Sequence, residues 1–97
     1  MDALKDLVKK LKRLDSVKAA ILFGSYAKGR ERRDSDLDIC VIADNDDALK
    51  FSSKRFDISL FHKLPLVVRY HVFRDGEILF SKDDKLLTKI KFWTITN

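Results

Sequence analysis

Two aspartates one residue apart, Asp36 and Asp38, stand at the start of an apolar run that ends near Ala43. Successive side chains of a β-strand point to opposite faces, so both carboxylates are expected on the same face. Carboxylates this close repel each other unless a cation lies between them. Oxygen ligands of this kind suit Mg²⁺ or Mn²⁺, and magnesium sites typically combine one or two carboxylates with substrate phosphates. The pair therefore predicts a divalent-metal site.

A Gly-Ser pair, Gly24-Ser25, precedes these aspartates and directly follows a first apolar run over residues 19–23. A strand that ends in Gly-Ser and turns into a short helix lets backbone N–H groups, and the Ser25 hydroxyl, face a phosphate. Basic residues occupy the loop between the pair and the aspartates: Lys28, Arg30, Arg32 and Arg33. The stretch as a whole indicates a phosphate-binding turn beside a metal site.

The pattern of Gly24-Ser25, ten intervening residues and Asp36-x-Asp38 resembles the signature of the DNA polymerase β-like nucleotidyltransferase superfamily. The local sequence looks most like its smallest branch, the minimal nucleotidyltransferases (MNT). In that branch the short chain is often encoded beside a helical HEPN-domain protein, as the antitoxin of a toxin–antitoxin pair. Either half of the pattern alone would be weak evidence, but both together, at the ends of two apolar runs, form a strong signal.

The resemblance implies transfer of a nucleoside monophosphate from an NTP to an acceptor hydroxyl, with pyrophosphate leaving. Members of the small branch use ATP and place AMP on a tyrosine of the HEPN partner, which silences its RNase. The expected cofactor is Mg²⁺, as two ions, with Mn²⁺ as the alternative. ATP or another NTP and a HEPN toxin are thus the expected partners, while the nucleotide base and the oligomeric state stay open.

The resemblance also implies roles for the residues of the motif. Gly24 and Ser25 would hold the β- and γ-phosphates, and Asp36 and Asp38 would bind both metals. Lys28 or Arg30 would neutralise the charge that builds on the leaving pyrophosphate.

The chain departs from the common sequence pattern of the family at two basic positions. Lys28 stands where arginine is frequent, and Arg33 stands where proline is frequent. The first departure leaves open which basic residue meets the phosphates, and the second loosens the loop.

Asp57 lies inside a further apolar stretch, residues 55–61, in which Phe56, Ile58 and Leu60 share one face. An aspartate inside a strand is costly unless it is paired or binds a metal. If this strand neighbours the second, Asp57 joins the two earlier aspartates on one face, as two-metal nucleotidyl transfer requires. In the superfamily the third carboxylate sits here, where it would bind the catalytic metal and help to remove the acceptor's proton. The alternative is an edge-strand aspartate facing water.

Two other functions compete with this hypothesis. A non-catalytic antitoxin would neutralise its partner by occlusion, and Asp36→Ala would then leave neutralisation intact. A nucleic-acid-binding domain would use the net charge of +5, but the basic loop lacks interleaved aromatic residues and no helix-turn-helix pattern is present. We rank the enzyme first, the occluding antitoxin second and nucleic-acid binding last.

Length and composition set the limits of the fold. With 97 residues, 45% of them hydrophobic and 36% charged, the chain is expected to form one soluble domain over residues 1–97. No apolar run approaches the ~20 residues of a membrane span, and the first residues do not form a secretion signal. The single cysteine, Cys40, suits a reducing cytoplasm, where we expect the protein, and is itself expected in the core.

The expected fold class is α+β in a two-layer α/β arrangement: the nucleotidyltransferase fold, with a small mixed sheet of about four strands packed on one side by helices. Periodicity and turn residues predict strands at residues 17–23, 36–43, 55–61 and 77–80, and helices at residues 3–14, 65–75 and 85–94. The β-branched residues of segment 65–75 leave a strand as the alternative there. The two later helices are expected to bury Leu66, Val67, Tyr70 and Phe73, and Leu86, Leu87, Ile90 and Trp93. Phe92 and Trp93 are expected to cover the core in preference to forming a partner surface.

Overall fold

A four-stranded mixed sheet is the centre of the fold in the computed structural model, which describes residues 2–24 and 37–96. The strands lie in the order β3-β2-β1-β4. Strand β1 pairs antiparallel with both β2 and β4, and β2 pairs parallel with β3. The bounds are β1 Val17–Phe23, β2 Leu37–Ala43, β3 Phe56–Leu60 and β4 Glu77–Ser81. The predicted mixed sheet of four strands is confirmed.

Three α-helices accompany the sheet in the described part of the chain: α1 Asp2–Arg13, α2 Leu66–Asp75 and α3 Asp84–Thr96. Pro65 directly precedes α2 and Gly76 follows it, which are the residues expected to begin and end a helix. Asp83 caps α3, since its Oδ1 accepts a hydrogen bond of 3.0 Å from the Leu86 N–H. Short 3₁₀ helices span Asp47–Phe51 and Phe61–Lys63.

Helices lie on both faces of the sheet, so the prediction that they pack on one side is wrong. Leu7 and Leu11 of α1 share one core with alternate residues of the strands. Val72 of α2 and Leu87 of α3 share a second core with the intervening strand residues. Residues 39–42 of β2 are all buried, because both faces of this central strand are apolar and each needs a cover.

Helix α2 also buries a different side from the predicted one. Phe73 is buried as predicted, but Leu66 and Val67 are 76% and 68% exposed and Tyr70 is 39% exposed. The helix packs instead through Val72, which is fully buried. Because the segment carries apolar residues around most of its circumference, its periodicity did not single out one buried side.

The end of α3 does not cover the core. Leu87 is buried and Leu86 and Ile90 are partly buried, as predicted, but Trp93 is 61% exposed and Phe92 is 65% exposed. The expectation that these two aromatic side chains close the core is therefore wrong. In residues 2–24 and 37–96, no helix combines the length and apolar character that crossing a membrane would require.

Candidate active site

Asp38 and Asp57 lie next to each other on neighbouring strands. The parallel register of β2 and β3 pairs Asp38 directly with Asp57, so the two side chains leave the same face of the sheet. Neighbouring strands are ~4.8 Å apart, which puts both carboxylates within reach of one small ion. Phe56, Ile58 and Leu60 point into the core on the other face, while Asp57 is exposed. The strand adjacency on which the three-carboxylate hypothesis depends is thus present for these two residues.

Gly24 packs against the carboxylate of Asp38. The antiparallel register pairs Phe23, the last residue of β1, with Asp38, so the chain leaves β1 directly beside this carboxylate. A Cβ added at Gly24 would lie 2.5 Å from Asp38 Oδ2, and Gly24 has a φ of +83°. Both the close approach and the left-handed backbone require glycine. Sequence reasoning treated Gly24 as a phosphate contact only, whereas the structure shows that it also makes room for Asp38.

The end of α2 lies near the same end of the sheet. Strand β4 begins at Glu77, which pairs with Leu22 of β1, two residues before Gly24. The preceding residue, Gly76, is so close to β1 that an added Cβ would lie 2.8 Å from Ile21 Cγ2 and 3.1 Å from the Leu22 carbonyl oxygen. Helix α2 covers the sheet face from which Asp38 projects, because Val72 packs in the same core as the strand residues of that parity.

Cys40, two residues after Asp38, is the next residue of β2 on the same face of the sheet. It is fully buried, as predicted. Burial raises the pKa of its thiol from 9.0 to about 12, although the nearby Arg69 guanidinium acts in the opposite direction. Because only the thiolate binds metals, the protonated Cys40 is not expected to be a metal ligand. The candidate metal ligands on this face are therefore the aspartates.

Four of the predicted site residues, Ser25, Lys28, Arg30 and Asp36, lie outside the described residues. Their roles stay predictions. Within residues 2–24 and 37–96, no group of three or more His, Cys, Asp or Glu side chains could hold a metal ion. The described part of the candidate site is therefore the pair of carboxylates, Asp38 and Asp57, with Gly24 beside them.

This donor set fits a hard divalent cation. Both ligands are carboxylates, the chemistry that Mg²⁺ and Mn²⁺ prefer over nitrogen and sulfur ligands. Asp57 is exposed and Asp38 is partly buried, so an ion and its waters can reach both. At Gly24, the absence of a side chain leaves the space that the Asp38 carboxylate occupies.

Comparison with known proteins identifies the family of the sequence. Residues 5–85 match the family model described as Polymerase beta, Nucleotidyltransferase. A protein of Methanocaldococcus jannaschii named a protein adenylyltransferase is 30% identical over 77 residues, which are 75% of this chain and 63% of that protein. The chain therefore spans less than two thirds of the length of this relative.

Solved structures of toxin–antitoxin complexes share the fold. A crystal structure of a toxin–antitoxin with AMP-PNP superposes with a TM-score of 0.76 at 25% identity, covering 95% of this chain and 84% of that one. The MNT antitoxin in complex with the tri-AMPylated Shewanella oneidensis HEPN toxin gives a TM-score of 0.66 at 18% identity, covering 98% and 80%. At that identity the second likeness shows the fold alone. The paired aspartates, the sheet order and the family match lead to one conclusion: the chain belongs to the polymerase β nucleotidyltransferase family.

Proposed function

We propose that the protein is a minimal nucleotidyltransferase that transfers AMP from ATP to a tyrosine hydroxyl of a HEPN toxin and thereby acts as its antitoxin. The observation that carries this proposal is the register of Asp38 with Asp57, with Gly24 packed against Asp38. The adenylyltransferase relative supports AMP as the transferred group. The complex with AMP-PNP supports ATP as the donor and a toxin as the partner.

The reaction forms a bond between the acceptor oxygen and the α-phosphorus of ATP and breaks the bond from that phosphorus to the bridging oxygen. Pyrophosphate leaves, and the tyrosine proton passes to Asp57, the exposed carboxylate of the pair. The Gly24 turn and the Ser25 hydroxyl hold the β- and γ-phosphates. Lys28 or Arg30 neutralises the charge of the departing pyrophosphate.

Two Mg²⁺ ions, or Mn²⁺, would be held by Asp36, Asp38 and Asp57. When bound, they neutralise the triphosphate and lower the cost of charge on the reacting oxygens. The protein's own part is to position the carboxylates. Asp38 places its carboxylate in the space that Gly24 leaves free, and Asp57 is aligned with it by the parallel strand pairing.

Calorimetric titration with ATP and Mg²⁺ tests the proposal, with Asp38→Asn and Asp57→Asn as the site variants. Asp46→Asn is the matched control, because Asp46 is an exposed carboxylate with no side-chain cap bond to the 3₁₀ helix that follows it. We expect Mg²⁺-dependent ATP binding by the wild type and by Asp46→Asn, with binding lost in Asp38→Asn. Mass spectrometry of a HEPN toxin then reports the added adenylyl group.

Two results would contradict the proposal. If wild-type protein does not bind any of the four NTPs with Mg²⁺, the nucleotide site is not formed by this chain. If Asp38→Asn neutralises the toxin as well as the wild type does, the protein acts by occlusion and not by catalysis.

A further inference from the structure

Helices α2 and α3 expose several large apolar side chains to solvent. Leu66 and Val67 of α2 are 76% and 68% exposed, and Phe92 and Trp93 of α3 are 65% and 61% exposed. Tyr70 of α2 and Ile95 of α3 are 39% and 44% exposed. Single exposed apolar residues are ordinary, whereas several on two helices that contact each other indicate a protein-binding surface.

We call the outer sides of these two helices the α2–α3 face. They cover the same side of the sheet and contact each other. A groove of about 330 Å³ runs between them. It is lined by Phe61, Arg69, Lys89, Ile90, Trp93 and Thr94. A groove between two helices, flanked by apolar residues at helical spacing, accommodates an amphipathic helix of another chain.

The charges around this face indicate the kind of partner. Lysines and arginines are frequent in α2 and α3 and directly before α2: Lys63, Arg69, Arg74, Lys85, Lys89 and Lys91. The carboxylates of these helices, Asp75 and Asp84, lie only at the helix ends. A second copy of the chain would bring like charges together, which costs several kcal/mol at an interface, whereas an acidic rim would complement them.

Arg69 and Lys89 differ in their availability. The Arg69 guanidinium donates hydrogen bonds to the carbonyl oxygens of Leu64 and His62 and lies over the Phe61 ring. It is therefore engaged in holding the segment before α2. Lys89 stands at the edge of the groove and is exposed, so it is the cation that can meet a carboxylate of the partner.

We propose that the α2–α3 face is where the protein holds its HEPN toxin, through a toxin helix that places apolar side chains between α2 and α3 and carboxylates against Lys89. The inference rests on the proposed function, since it names the partner of that reaction. Position supports it: the face lies on the same side of the sheet as Asp38. Helix α2, ~15 Å long, runs from the groove to the end of the sheet that carries the aspartates. A toxin docked there is placed to present a tyrosine to Asp57.

The test uses a HEPN toxin, with its RNase residues substituted, as the titrant. Val67→Glu and Trp93→Glu place a carboxylate in the apolar part of the face, and Lys89→Glu reverses the charge at the groove. Leu49→Glu is the matched control, because Leu49 is 38% exposed in a segment whose buried residue, Ala48, packs in the core on the other side of the sheet. Circular dichroism and thermal unfolding verify that each variant is folded.

We expect wild type and Leu49→Glu to bind equally, and Val67→Glu and Trp93→Glu to bind at least ~30-fold more weakly, as for interface hot spots. Lys89→Glu should weaken binding and reduce its dependence on salt. ATP binding should stay unchanged in all four variants, since none is part of the nucleotide site. This separates failure of the docking surface from failure of the proposed function.

Three outcomes would overturn the inference. Equal toxin binding by wild type and all face variants would place the interface elsewhere. Self-association that disappears in Trp93→Glu, without toxin binding, would make the face a contact between copies of this chain. A monomeric wild type that does not bind the HEPN protein would remove the partner itself, and the ATP titration would then show whether the nucleotide site stands alone.

Discussion

At the scale of single residues, Gly24 offers a sharp test because any side chain at this position would compete with the Asp38 carboxylate for the same space. Gly24→Ala should displace Asp38 and strain a backbone with φ +83°. We expect ATP–Mg²⁺ affinity to fall at least tenfold and unfolding to become easier by about 1–2 kcal/mol, the cost of a left-handed backbone for a residue with a Cβ. Calorimetry and urea unfolding measure the two effects.

Gly76→Ala is the matched control for this variant. The three atoms nearest to an added Cβ at Gly76 are the Val72 carbonyl oxygen, Ile21 Cγ2 and the Leu22 carbonyl oxygen, and none of them belongs to Asp38. It should therefore lower stability while leaving ATP affinity near that of the wild type at a temperature where both variants are folded. Equal loss of affinity in the two variants would mean that Gly24 acts through stability alone.

Cys40 gives a prediction on pH. Its folded-state pKa of about 12 lies above the ordinary 9.0, so both states keep the thiol protonated below pH 9. Above pH 9 the unfolded chain ionises first, and the stability contributed by the neutral thiol is lost as the pH rises towards 12. Between pH 8 and pH 10 the wild type should lose about 1.4 kcal/mol more than Cys40→Ala. Urea unfolding under reducing conditions measures this difference, and parallel pH profiles would contradict it.

Sequence alone supplied part of the candidate site. The alternation of side chains along a strand predicted that Asp38 and Asp57 would share one face if their strands were neighbours, and β2 and β3 are neighbours. The contact between Gly24 and Asp38 could not be predicted, because it depends on the antiparallel register of β1 with β2 across a long connection. Register of this kind is set by packing of the whole sheet and not by local residue preference.

At the scale of elements, the strands and helices follow closely from periodicity, but the buried side of α2 does not. Val67 and Val72 have the same side chain and the same helical preference, yet one is 68% exposed and the other fully buried. The choice is made by the direction in which α2 crosses the sheet and by the close contact of Gly76 with β1. Neither the crossing direction of α2 nor the contact of Gly76 with β1 can be predicted from the local sequence.

This pair of valines provides a direct measure of tertiary packing. Val72→Ala should lower the free energy of unfolding by about 2 kcal/mol, because it removes two buried methyl groups and leaves a cavity. Val67→Ala should change it by less than about 0.5 kcal/mol, as is usual for an exposed position. The two substitutions change helix preference equally, so the difference between their free energies of unfolding, measured with urea, reports the burial of Val72. Similar losses in the two variants would show that α2 is turned differently about its axis.

At the scale of the whole molecule, helices cover both faces of the sheet because β1 and β2 are apolar on both faces. Residues 19–22 and 39–42 are buried throughout, and such runs require cover on two sides. One cover, α1, closes the face away from the aspartates. The other, α2 with α3, covers the remaining face and keeps an apolar exterior. The candidate carboxylate pair and the proposed docking face thus lie in different parts of the described fold.

This division predicts distinct kinetic effects for the two parts. Trp93→Glu should raise KM for the HEPN protein at least tenfold and leave kcat nearly unchanged, because it weakens docking without altering the reacting groups. Asp57→Asn should lower kcat at least ~100-fold with a smaller change in KM, because it removes the group that accepts the proton. The double variant should show the product of both effects, since the sites do not share contacts. Adenylyl transfer followed over a range of HEPN concentrations gives all three values. A fall in kcat for Trp93→Glu alone would instead mean that the docked toxin completes the active site.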